Sequence, residues 1–98
     1  MSEEIAVVAY LQALEGQGAA VEAVIRPCVE ASRQEAGCRY YTAHTDSTRP
    51  GLFVFIERWA DQAALDAHTR TEHFQALIAG VEGKLAGTPE IQTLKALA

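Results

Sequence analysis

From Ile5 to Leu11 the chain alternates Ile5, Val7, Ala9 and Leu11 with Ala6, Val8 and Tyr10. Side chains of a strand point to opposite faces in turn, so this segment predicts a strand that is apolar on both faces. Glu15-Gly16-Gln17-Gly18 breaks it. The period then changes: Val21, Val24, Ile25, Cys28, Val29 and Ser32 recur at helical spacing, predicting a helix over about 18–34. Pro27 lies inside that helix, where a proline removes one backbone hydrogen bond and costs about 3 kcal/mol in an ideal case, so a kink or bulge is expected.

Gly37 is expected to close the helix in the left-handed conformation, and residues 38–45, rich in Tyr and Thr, predict a second strand. Asp46-Ser47-Thr48-Arg49-Pro50-Gly51 reads as a turn. Residues 52–59 predict a third strand, with Leu52, Val54 and Ile56 on one face and Phe53, Phe55, Glu57 and Trp59 on the other. Asp61 suits the N-cap of a short helix carrying Ala64, Leu65 and His68. Thr71 can cap a further stretch with Phe74, Leu77, Ile78, Val81 and Leu85 on its apolar side, ended by Gly87-Thr88-Pro89. Weak alternation over 90–97 predicts a closing strand.

The order βαββαβ packs naturally as a ferredoxin-like α+β domain, an open four-stranded antiparallel sheet with helices on one face. A single domain over 1–98 is expected, with its core at about 4–95. The first and third strands are apolar on the second face too, and a monomer would leave that face wet. A symmetric face-to-face homodimer is therefore expected.

Composition supports folding: 49% of residues are hydrophobic and 21% charged, without the charge excess of disordered chains. The net charge of −5 comes from acidic groups spread along the chain and leaves no basic patch for a phosphate backbone, which argues against nucleic acid as a partner. No basic leader and no membrane-length apolar stretch appear, so a cytoplasmic location with no membrane association is expected. Cys28 and Cys38 then read as reduced thiols filling core space, and no Cys/His spacing resembles a zinc site.

Three stretches carry a resemblance: Glu35-Ala36-Gly37-Cys38 with Tyr41, then Phe55-Ile56-Glu57-Arg58-Trp59-Ala60-Asp61, then Leu65 to Phe74 with His68 and His73. In order and spacing the chain from Ile5 to about Leu94 resembles the antibiotic biosynthesis monooxygenase family. The resemblance implies a dimeric α+β barrel with a pocket between the sheet and helices of each subunit. It also implies oxidation of a small hydroquinone or polyphenol by dioxygen without a prosthetic group. Other members cleave haem or isomerise a phosphorylated ketone, so fold alone does not decide function. Haem is disfavoured here, because Ile78 stands where a haem-degrading member carries its proximal histidine, His68 replaces an aromatic, and the first strand has no asparagine.

Within that frame His68 is the candidate catalytic base, since an imidazole titrates near neutrality and can accept a hydroquinone proton; the alternative is a histidine that merely hydrogen-bonds or caps. His73, five positions on, would sit about 140° round an unbroken helix, which disfavours a shared metal and suggests a solvent-facing ring. A break at residues 69–71 would let the two converge, and His73 stays a candidate substrate contact. Trp59 and Phe74 are candidates to pack on an aromatic substrate, Glu57 to orient its hydroxyl, and Tyr41 to bind a quinol oxygen, with Tyr40 and His44 left to the rim or interface. The competing reading makes Trp59 and Tyr41 core and pairs Glu57 with a cross-strand base such as Arg39. Two other functions stay open: an isomerase of a small oxygenated metabolite, and a non-catalytic dimeric module that binds an aromatic metabolite.

Overall fold

In the computed structural model, which describes residues 3–98, the elements follow as β1 (Ile5–Gln12), α1 (Gly18–Ser32), β2 (Cys38–Thr45), β3 (Leu52–Trp59), α2 (Gln62–Thr69), α3 (Glu72–Val81) and β4 (Glu90–Leu94). The four strands form one sheet in the order β2-β3-β1-β4, and every pairing is antiparallel. This is the ferredoxin-like α+β arrangement that the alternation predicts. Among the described residues no helix is long and apolar enough to cross a membrane.

The two faces of the sheet differ. Ile5, Val7, Ala9 and Leu11 of β1, Phe53, Phe55, Glu57 and Trp59 of β3, and Tyr41 of β2 are buried on the face that carries the helices, with Val21, Ile25 and Cys28 of α1 and Leu77 and Val81 of α3 in the same core. On the other face Val8 is paired between Ile56 and Gln92, and Tyr10 between Val54 and Glu90. There Ile56, Tyr40 and Leu94 are 40%, 44% and 45% exposed. The uncovered apolar surface expected from β1 and β3 is thus present in the isolated chain.

Three local expectations change. The helix α1 runs through Pro27 without interruption, because Pro27 lies on its exposed side and the carbonyl it leaves unpaired, that of Ala23, belongs to an exposed residue that water can reach. Gly37 does not take the left-handed conformation; α1 ends in tight turns (Gln34 N–H to Ala31 O, 3.1 Å; Glu35 N–H to Ser32 O, 3.1 Å) instead. Glycine is needed at 37 for closeness, since a Cβ there would lie 2.3 Å from Ala64 Cβ. The helix α3 stops at Val81, where Gly83 turns the chain at φ +79°, and Leu85 forms an isolated antiparallel bridge with Ala13 instead of a further helical turn. The closing strand is shorter than expected, ending at Leu94, and its residues are exposed.

Candidate functional site

A cavity of about 270 Å³ lies between the helix-bearing face of the sheet and the helices α2 and α3. Its walls are mostly apolar, from Val7, Ala9 and Phe55 below to Leu65, Leu77 and Ile78 above, and β4 contributes Ile91 and Thr93 at the rim. Tyr41, Glu57 and His68 are the polar side chains from the core that face it, and Phe74 closes the wall beside His68. An apolar chamber with a few convergent polar groups is the usual form of a small-molecule site.

His68 reaches this position because two short helices meet at a break. Asp61 caps α2, accepting from Ala64 N–H at 2.8 Å, and Thr71 caps α3, accepting from Phe74 N–H at 3.2 Å while its hydroxyl donates to His68 O at 2.7 Å. The chain therefore changes direction between residues 69 and 72, and His68 and His73 converge to 5.9 Å between ring centroids. The solvent-facing ring expected for His73 is corrected accordingly: it is 22% exposed and its Nε2 lies 2.7 Å from Glu35 Oε2. The same oxygen lies 2.7 Å from His68 Nδ1.

A carboxylate can only accept, so Nδ1 of His68 carries the proton and Nε2 bears the lone pair. Nε2 bonds to no described residue, yet no buried side-chain N or O among the described residues lacks a partner. Nε2 therefore keeps accessible surface on a ring that is 2% exposed and lines the cavity. Burial pushes the His68 pKa below the ordinary histidine value, against the opposing pull of the Glu35 hydrogen bond and charge. The ring is thus neutral at pH 7 and able to accept a proton.

Trp59 does not line the cavity. It is completely buried and lies behind His68, ring centroids 4.5 Å apart, as part of the core. Its Nε1–H donates to Glu57 Oε1 at 2.9 Å, so Glu57 is held by the indole and not by Arg39. Arg39 is exposed at the irregularity between Cys38 and Tyr40, while Glu57 pairs in register with Val7 and Tyr41. Burial, reinforced by the charge of Glu35 and opposed by the Trp59 hydrogen bond, raises the Glu57 pKa to about 7. Tyr41 is buried edge-on to His68 with centroids 5.4 Å apart, its hydroxyl 3.8 Å from Cys28 Sγ, and burial raises its pKa far above the usual phenol value.

Glu35 is the residue that inspection of the chain did not single out. It opens the Glu35-Ala36-Gly37-Cys38 stretch, but its partners lie 33 and 38 positions away, so no local period marks it. Its carboxylate and the two imidazoles place their donor atoms within 4.8 Å of one another, a span that a metal ion could bridge. Both nitrogen-to-oxygen separations are nevertheless 2.7 Å, hydrogen-bonding distances, whereas ligands around tetrahedral zinc stand roughly 3.3 Å apart. The cluster is satisfied by its own protons. No candidate haem ligand faces the cavity at Ile78, which is 46% exposed on its wall.

Known proteins share this architecture. PA3566 from Pseudomonas aeruginosa is 40% identical with a TM-score of 0.93, over 100% of this chain and 98% of that one. The sll1783 protein of Synechocystis is 37% identical over 67 residues, 68% of this chain and 46% of its own length. YcnE of Bacillus subtilis is 37% identical over 51 residues, 52% of this chain and 54% of its own length. The chain thus spans about half the length of these two curated relatives. The profile of the antibiotic biosynthesis monooxygenase family matches residues 4–80, through all the elements that build the cavity except β4. With that match and the fold in agreement, the chain belongs to the antibiotic biosynthesis monooxygenase family.

Proposed function

We propose that this member is a cofactor-independent monooxygenase that oxidises a small hydroquinone or polyphenol with dioxygen. The observation that carries the reading is His68 on the wall of an apolar cavity, oriented by Glu35 and with Nε2 bonded to no described residue. A bound phenolic hydroxyl gives its proton to Nε2, and the resulting electron-rich ring transfers an electron to dioxygen. Radical recombination at a ring carbon bearing hydrogen gives a peroxide anion, which takes the proton back from His68 Nε2 to become a hydroperoxide; loss of water from it leaves one oxygen atom on the ring as a carbonyl and removes the other. Water-poor walls favour this route by limiting protonation of the anion. Tyr41 and Glu57 lie where a second substrate oxygen can be bound, and at the pH where Glu57 keeps its proton it is a donor. About 270 Å³ suits one or two fused rings, near the lower end of small-molecule sites at roughly 300 Å³.

A second reading uses the same groups. A base at His68 and a protonated carboxyl at Glu57 on one cavity could shift a proton within an oxygenated metabolite without dioxygen. Oxygen uptake with a panel of hydroquinones, measured on metal-free protein, separates the two. The monooxygenase reading expects uptake that falls at least about 100-fold in His68→Ala. Proton exchange into substrate without uptake supports the isomerase, and neither activity with any substrate bound leaves a binding module.

The uncovered face of the sheet supports a homodimer as the working form, since Val8, Tyr10, Val54 and Ile56 form an apolar surface that a second copy would cover.

A further inference from the structure

One oxygen, Glu35 Oε2, takes hydrogen bonds from both imidazoles at 2.7 Å each. A single carboxylate neutralises a single imidazolium. Two cationic rings with centroids 5.9 Å apart would repel across it, so a proton added to one ring weakens the hold of the other on its own. The rings are also placed unequally. His68 meets the cavity with 2% exposure, whereas His73, at 22%, retains contact with solvent beyond the cluster.

We propose that His73 is a positioning residue that acts on His68 through Glu35, so that the pair holds one surplus proton at a time and a proton captured at the cavity is matched by one released to solvent. This rests on His68 being the base. The substrate hydroxyl proton goes to His68 Nε2, and the Nδ1 proton of His68 stays in its bond to Glu35. In the state in which His73 holds the surplus proton, that proton leaves to water from Nδ1 while the Nε2 proton stays bonded to Glu35. No proton crosses the carboxylate, and the total charge of the cluster is the same before and after. Capture of the substrate proton thereby adds no net charge to the buried cluster, and His68 is reset when Nε2 returns that proton to the peroxide in the cavity and His73 takes one back from water. The other titratable groups facing His68 are Tyr41 from β2 and Glu57 from β3, and neither touches His73.

The test is an NMR titration of the His68 ring in the wild type and in His73→Gln, which keeps a side-chain N–H for Glu35 but carries no charge. The wild-type His68 curve is expected to show two steps, because a coupled pair titrates macroscopically. In His73→Gln a single step is expected, with its midpoint about one pH unit higher, since Glu35 then serves His68 alone. The acid limb of kcat/KM should move the same way. A single-step wild-type curve, or a midpoint unmoved by the substitution, overturns the coupling, and the wild-type measurement stands even if the variant folds poorly. If the coupling is seen but His68→Ala keeps its turnover, the base assignment fails instead.

Discussion

Glu57 is a carboxyl buried to 5% exposure whose pKa rises from 4.5 to about 7 on folding. A group that binds its proton more tightly when folded stabilises the fold fully below its unfolded pKa. That contribution is lost as pH rises through the folded value, here across the window from 4.5 to about 7. Integrating over that shift gives a loss of about 3 kcal/mol by pH 8, of which about 1 kcal/mol is already gone at pH 5. Glu57→Gln keeps a side-chain oxygen to accept from Trp59 Nε1–H but cannot ionise. Urea unfolding at fixed protein concentration should therefore show wild type losing about 2 kcal/mol between pH 5 and pH 8 relative to Glu57→Gln. Because the ionised carboxylate is buried without a cation, the variant should be the more stable of the two at pH 8. Parallel stability profiles for the two proteins would refute the reasoning, and a steeper loss toward acid in the wild type would reverse its sign.

Other consequences follow from packing. Gly37→Ala puts a Cβ at 2.3 Å from Ala64 Cβ and should cost about 1–3 kcal/mol, with part of the loss restored by adding Ala64→Gly. Thermal unfolding of the four proteins in the cycle checks this, and strict additivity would count against the contact. Ile56→Lys, a charge placed on the uncovered sheet face, should convert a dimer to monomers in light scattering at micromolar concentration with helix content retained. An unchanged dimer would move the interface elsewhere.

The strands were legible because their alternation is a local property: residues 38–45 and 52–59 run as expected, and β1 exceeds its expected end by one residue. Helix ends were less so. Leu85 continues the apolar spacing of α3, but Gly83 turns the chain before it, and a periodic pattern cannot register a left-handed residue inside it. Gly37 shows the converse, a helix-closing residue by type that is needed for its missing side chain against α2, a contact between segments far apart in the chain. His68, Tyr41, Glu57 and Phe74 could be nominated from their types and neighbours, and they surround one cavity. For Trp59 the reading as core, one of the two open, is the one the structure takes, while the roles of His73 and Glu35 could not be read off, because both depend on one shared carboxylate oxygen brought in by tertiary structure.

Trp59 is the only tryptophan in the chain, and its ring lies 4.5 Å from that of His68. A protonated imidazole withdraws an electron from an excited indole far better than a neutral one does. The protein's own emission therefore reports on the charge of one particular buried histidine. Stopped-flow fluorescence could follow that histidine during a single turnover, with no label attached and no other indole in the background.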